Sequence, residues 1–139
     1  LAVFGRKDYE QQLVIRRMVD DLGLPVEIVV GPVVREPGGL AMSSRNAFLN
    51  SKEGEIAARL YETLRGTASE IAAGNRDFGK LAASGMETLT EARQAPEYFE
   101  IRRAADLALP RSNCTELVVL AATRVGTVRL IDNVLVAAQ

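Results

Sequence analysis

Apolar positions along this chain recur with two periods, and the switches between them mark out its elements. Residues 1–4, Leu-Ala-Val-Phe, form a short apolar run that stops at Gly5 and reads as a β-strand. Leu13, Val14, Ile15, Met18, Val19 and Leu22 then recur at helical spacing. They predict a helix capped by Asp8 or a neighbour and ended at Gly23, with Pro25 just beyond. Residues 26–30 are an apolar β-branched run, the pattern of a second strand, which Val33 and Val34 extend past Gly31-Pro32. Strand, helix and strand make one βαβ unit, and such units take their ligands at the carboxyl ends of the strands.

Glu36-Pro37-Gly38-Gly39 is a loop signal, and Met42-Ser43-Ser44-Arg45-Asn46 follows from it as a segment expected to be mobile. From Ser51 the spacing of Ile56, Leu60 and Leu64 predicts a helix that runs to Ala73, before Gly74-Asn75. Asp77 reads as the N-cap of another helix, with Leu81, Met86 and Leu89 on its apolar side. Pro96 breaks that pattern. Residues 98–102 alternate like a half-buried strand, and residues 117–122 and 128–131 read as two more. The fold class is therefore α/β, one βαβ unit followed by a small α+β domain of two helices and about three strands. The change of pattern places a boundary near Phe48, dividing the chain into residues 1–47 and 48–139.

Composition narrows the functional classes. With 139 residues, 47% hydrophobic and 25% charged, the chain has the makeup of a soluble globular protein. No apolar run reaches the roughly 18 residues that a membrane helix needs, so no membrane partner is expected. Seventeen basic against eighteen acidic residues give a net charge of -1, without the basic excess that nucleic-acid binding requires. The single cysteine, Cys114, has no partner for a disulfide or a zinc site; it reads as a small buried residue in a cytoplasmic protein. Histidine is absent, so this sequence offers no Ser-His-Asp triad, no histidine-held metal and no imidazole for a phosphoryl transition state. No metal-ligating set is assigned. Residues 1–4 read as a strand already under way, without an initiator Met or a signal-peptide charge cluster, and the expectation is of a chain that begins inside a domain.

Two segments carry the chemistry. Phe4-Gly5-Arg6-Lys7-Asp8-Tyr9-Glu10-Gln11 puts a glycine, cations and a carboxylate at a strand-to-helix turn, and Leu40-Ala41-Met42-Ser43-Ser44-Arg45-Asn46 puts two hydroxyls beside an arginine. Glycine lets a ligand approach the backbone, cations neutralise phosphate and hydroxyls donate to its oxygens. Either segment alone reads as ordinary polar surface, an exposed pair opening a helix or a loop whose hydroxyls satisfy their own backbone. Both fall at the same edge of one βαβ unit, and that conjunction points to a nucleotide phosphate site. It is neither a Walker A loop nor a G-x-G-x-x-G dinucleotide turn.

These segments, with Arg35-Glu36-Pro37-Gly38-Gly39 ahead of the second and Arg129-Leu130-Ile131-Asp132-Asn133 near the end, resemble the pantothenate synthetase (pantoate-beta-alanine ligase) family over the whole chain, in order. The resemblance implies the C-terminal part of a Rossmann-like nucleotidyltransferase domain, with the His-x-Gly-His signature in a half not present here. It implies ATP and Mg2+, with pantoate and β-alanine as the other substrates, a pantoyl adenylate intermediate, and a homodimer for the intact enzyme. Carried over residue by residue, Gly5 and Asp8 meet the ribose, Lys7 the phosphates and Gln11 the pantoate, with Arg6 in the nucleotide-binding set. Val34 lies beside the adenine through its backbone, and Met42, Ser43, Ser44 and Arg45 close over the triphosphate. Lys7 and Arg45 are the catalytic candidates. The sequence departs from the family pattern at Arg6, at Glu10, at Gln12 and at Gly39. Two other readings stand beside this one: another adenylate-forming enzyme of the same superfamily, and a noncatalytic assembly module.

Overall fold

A computed structural model describes residues 1–138. The chain runs β1 (Ala2–Gly5), α1 (Tyr9–Leu22), β2 (Ile28–Gly31), a 3-10 turn (Ser44–Phe48), α2 (Ser51–Ala72), α3 (Phe78–Glu91), β3 (Ala95–Arg103), β4 (Glu116–Val125) and β5 (Val128–Ala137). β1 and β2 pair in parallel, Ala2 opposite Ile28 through Gly5 opposite Gly31, with α1 as the crossover. Antiparallel pairing in the order β3-β4-β5 forms the second sheet.

Helix limits follow local chemistry. The α2 helix opens on a capping box, in which the Asn50 side chain accepts from the Glu53 N–H and Glu53 accepts from that of Asn50. Such an arrangement satisfies two otherwise orphaned donors and contributes about 1 kcal/mol. Asp77 caps α3 by accepting from the Lys80 N–H. Asp8 stands at the N-cap position of α1 yet its side chain makes no capping bond there.

The main core lies where α2 and α3 cover one face of the three-stranded sheet. Leu60, Leu64 and Ile71 from α2 and Leu89 from α3 meet Phe99, Leu117 and Val119, all at most 3% exposed. Each fully buried apolar side chain of this size contributes roughly 1.5–3 kcal/mol. By contrast, the apolar stripe of α1 is largely open, with Val14 62%, Met18 47% and Leu22 66% exposed. Only Val19 of that stripe is buried, and Tyr9 and Gln12 are the inward residues beside it. Val3 and Val29 are likewise exposed on the small parallel sheet.

Several limits differ from the sequence pattern. β2 stops at Gly31, because Pro32 has no N–H to continue a ladder; Val33 and Val34 lie beyond it. β3 begins at Ala95 and includes Pro96, which an edge strand tolerates, and the register shifts between Pro96 and Tyr98. β5 extends through Asp132-Asn133 to Ala137, six residues past the apolar run. The Met42-to-Asn46 segment, expected to be a mobile loop, enters a 3-10 turn over Ser44–Phe48.

Gly85 of α3 sits directly against the Phe99 ring, where a Cβ would overlap ring carbons. Alanine there gains about 1 kcal/mol of helix propensity but overpacks the core, which typically costs about 1–3 kcal/mol. Gly85→Ala is therefore expected to lower the thermal midpoint, as read by circular dichroism; an unchanged or raised midpoint would mean that the Phe99 ring moves aside freely.

Candidate active site

Two loops from the βαβ region meet two neighbouring residues of β5. Successive strand residues point to opposite faces, so Asp132 lies on the helix-covered face and Asn133 on the other. Asp132 holds the Arg35 guanidinium through both oxygens, at 2.6 and 3.0 Å. Arg35 also donates to the carbonyls of Gly39 at 3.1 Å and Asn133 at 3.3 Å, and lies 3.8 Å from the centre of the Tyr61 ring on α2. The pair is nearly dry, the Asp132 side chain being 1% and the Arg35 side chain 17% exposed.

Arg35 thereby anchors the loop that carries the hydroxyls. Around the Glu36-Pro37-Gly38-Gly39 turn, the Gly39 N–H donates to the Glu36 carbonyl, and the Glu36 N–H to the Leu40 carbonyl. Gly39 takes φ +97°, and a Cβ there would stand 2.7 Å from the Tyr61 ring, so both the conformation and the contact call for glycine. The Met42 N–H returns to the Val34 carbonyl at 2.8 Å. Asn46 then donates to Glu36 and to the Ala41 carbonyl. Ser43 Oγ accepts from the Arg45 N–H at 3.2 Å and so begins the 3-10 turn, leaving Ser44 and Arg45 exposed.

Asn133 holds the other loop. Its Nδ2 donates to the carbonyls of Arg6 at 2.8 Å and Lys7 at 3.1 Å. Lys7 Nζ donates to the Met42 carbonyl at 3.3 Å, so the strand-end lysine and the hydroxyl loop touch. Burial lowers the Lys7 pKa below its usual value, with the Arg45 charge adding to the effect and Asp8 and Asp132 opposing it. Two cations thus stand on neighbouring loops, one of them partly desolvated, an arrangement that favours an anion between them.

Beside Lys7 opens a cleft of about 550 Å³, lined by Asp8, Gln11, Tyr98, Arg129 and Asn133 among others. Its floor is the outer face of the antiparallel sheet and its wall is the first turns of α1. Gln11 lines this cleft, whereas Gln12 turns inward, 5% exposed, and accepts from Arg16. Arg129 borders both this cleft and a smaller depression beside Arg45, whose Nη1 donates to the Arg129 carbonyl at 3.5 Å. Glu97 pairs with Arg124 and Arg129 at 3.0 and 2.9 Å, and its pKa is lowered chiefly by the hydrogen bond from Arg129.

Of the residues singled out in the sequence, the structure thus gathers Lys7, Asp8 and Gln11 at one cleft, with Met42 joined to Lys7 through its carbonyl and Arg45 in the adjoining depression beside Arg129. Ser43 and Ser44 lie on the same loop but do not line the cleft. Arg6 faces a separate groove shared with Gln12 and Arg16, on the other side of α1. Gly5 is exposed at the end of β1, and Val34 is 62% exposed with its carbonyl engaged by Met42. Sequence reasoning passed over Arg35, Tyr98, Arg129, Asp132 and Asn133 as site-forming residues. The available signal was the polar Asp132-Asn133 step, which interrupts an otherwise apolar strand.

Comparison with known proteins adds a family. The family model described as Pantoate-beta-alanine ligase matches residues 1–135. The pantothenate synthetase of Idiomarina loihiensis is 51% identical over 133 residues, covering 96% of this chain and 47% of the relative. That of Methylococcus capsulatus is 46% identical, covering 98% and 48%. Among solved structures, a pantothenate synthetase of Thermus thermophilus superposes with a TM-score of 0.88 at 37% identity, covering 96% of this chain and 48% of its own. The pantoate-beta-alanine ligase of Francisella tularensis, solved with beta-gamma ATP and beta-alanine, gives 0.66 at 30% identity, covering 96% and 42%. The chain spans about half the length of the curated relatives it matches.

Removing one member of a buried ion pair leaves the other charge without compensation, which costs about 3–5 kcal/mol. Asp132→Ala is expected to destabilise the fold by that amount in urea denaturation. A loss below about 1 kcal/mol, the size of an exposed pair, would mean that water reaches Arg35 readily.

Proposed function

The chain belongs to the pantoate-beta-alanine ligase family, and from that membership we propose that it supplies the phosphate side of an ATP-dependent ligase site. The observation that carries this reading is the meeting of Lys7 with the Met42-Ser43-Ser44-Arg45 loop, at the carboxyl end of a parallel strand pair. Longer relatives carry about as much sequence again, and the remaining walls of the site are assigned to that part.

The proposed reaction has two steps. A pantoate carboxylate oxygen attacks the α-phosphorus of ATP, the bond to the β-phosphate's bridging oxygen breaks, and pyrophosphate leaves. The amine of β-alanine then attacks the acyl carbon of the pantoyl adenylate; AMP leaves, the nitrogen loses its proton, and pantothenate is released. No covalent enzyme intermediate is required. The protein's contribution is to position the reactants and to meet developing charge with prearranged donors.

In this reading Lys7 and Arg45 neutralise the phosphates, Ser43 and Ser44 donate to their oxygens, and the Met42-to-Arg45 loop closes over them and excludes water. Gly5 and Asp8 meet the ribose, and the absence of a capping bond at Asp8 leaves its carboxylate available for a hydroxyl. Gln11, on the cleft side of α1, hydrogen-bonds pantoate. Val34 borders the adenine, and Arg6 contributes through its backbone, since its side chain lines another groove. Mg2+ accompanies the nucleotide in this proposal. The chain's own part is cationic and hydroxylic. No helix among the described residues is long and apolar enough to cross a membrane. A cytoplasmic location and a homodimer belong to the proposal for the full-length protein, and the residues divide at about Phe48 into an ATP-side part and an appended domain.

The test is formation of AMP and pantothenate from ATP, pantoate and β-alanine by the full-length protein. Lys7→Ala is expected to lower kcat by about 10²–10³, the usual loss for one transition-state donor. Adenylation of a different acid, with pantoate ignored, would transfer the assignment to another adenylate-forming enzyme. No turnover of any acid by the parental protein, with nucleotide binding unchanged in Lys7→Ala, would favour a noncatalytic module.

The lowered Lys7 pKa adds a pH signature. The charged lysine is what binds phosphate, so nucleotide affinity should fall as pH rises through a value below that of an ordinary lysine. In the same window the unfolded chain binds the extra proton, so the nucleotide-free protein gains stability there as pH rises. Lys7→Arg stays protonated, and titration of nucleotide affinity against pH should lose this alkaline limb. A limb that persists in the variant belongs to another group.

A further inference from the structure

Asn133 is 1% exposed and donates from one amide nitrogen to the carbonyls of two consecutive residues, Arg6 and Lys7. Only the NH2 edge of a carboxamide can meet two carbonyls, so the side chain's orientation is fixed; its Oδ1 has no protein partner. The two ends of this turn are already held without Asn133. The Arg6 N–H donates to the Gly31 carbonyl and continues the β1–β2 pairing, and the Gln12 N–H donates to the Asp8 carbonyl and begins α1. What Asn133 adds lies between them: it fixes the peptide groups on either side of the Lys7 Cα, and so the direction in which the lysine side chain leaves the backbone.

We propose that Asn133 is a positioning residue for Lys7, setting the lysine against the Ser43-to-Arg45 loop so that the adenylation step, in which pyrophosphate departs, proceeds. The proposal rests on the ligase reading above. Its physical basis is that both phosphate-facing elements take their position from one strand. Asp132 holds the hydroxyl loop through Arg35, and Asn133, one residue on, holds the lysine turn. The two are thereby set relative to each other by a rigid, doubly buried step of β5. Misplacing a reacting or stabilising group by about 1 Å costs about 10²-fold in rate, and release of the Lys7 turn permits a shift of that size. Formation of the amide bond follows the loss of pyrophosphate and depends less on where Lys7 stands.

The experiment compares two half-reactions in the full-length protein and its Asn133→Ala and Asn133→Ser variants. One is pantoate-dependent exchange of labelled pyrophosphate into ATP. The other is conversion of supplied pantoyl adenylate and β-alanine to pantothenate. Both are read on one sample, so a partly unfolded preparation lowers them together and leaves their ratio unchanged. Exchange is expected to fall about tenfold or more in Asn133→Ala, with amide formation little altered. Serine keeps a hydroxyl donor on a shorter side chain and should restore part of the exchange. Equal losses in both half-reactions, or exchange at the parental rate, would overturn the proposal, as would failure of both variants to fold, which would make Asn133 a structural residue only. A parental protein that exchanges no pyrophosphate with pantoate would instead overturn the ligase reading, and this inference with it, before any variant is compared.

Discussion

A guanidinium and a carboxylate taken out of water together must find nearly all their hydrogen bonds in each other and in nearby backbone, and Arg35 with Asp132 does so. The carboxylate accepts two guanidinium bonds and the Asn133 N–H, while the guanidinium adds two carbonyls and the face of a tyrosine ring. The Coulomb gain of such a pair is largely offset by desolvation, so its value lies less in net stability than in geometry. The loop that carries Ser43, Ser44 and Arg45 is therefore referenced to β5, and through β5 to the core beneath α2 and α3.

The same strand reaches the opposite loop because a β-strand alternates its faces. One residue after Asp132, Asn133 points away from the helices and grips the Arg6-Lys7 turn. Tyr9 adds a further tie between the two parts of the chain, its hydroxyl donating to the Ala104 carbonyl at 2.5 Å. The apolar layer under α2 and α3 supplies a rigid base, and the polar step on β5 converts that rigidity into a fixed separation between two cationic loops.

Electrostatics then bias the site toward an anion. Lys7 loses hydration by burial and faces the Arg45 charge, so its protonated form gains from any anion that approaches. Arg129 and Arg124 are held on Glu97 at the far rim, which limits repulsion among the cations until a more strongly charged partner arrives. In the proposed function, recognition of phosphates would rest on the same balance of burial and charge that lowers the lysine's proton affinity.

The order of elements was legible from period alone, since α2, α3 and the apolar β4 differ sharply in spacing and each is buried on the side its pattern indicates. The lysine turn and the Ser-Ser-Arg loop stood out as candidate chemistry, because glycine, cation and hydroxyl types cluster in both, and the structure brings the two together at Lys7 and Met42. Three features were decided only by tertiary structure. β5 runs through Asp132-Asn133 because Arg35 and two backbone carbonyls, distant in sequence, satisfy residues that local preference would exclude from a strand. Pro96 is admitted to β3 because that strand is an edge, a fact about neighbours and not about residues 95–103. Arg6 and Lys7, adjacent in sequence and alike in charge, part company because the turn between β1 and α1 sends one side chain to the cleft and the other to a separate groove. Spacing along the chain records which face a residue takes within its own element; what that face meets is fixed by groups a hundred residues away.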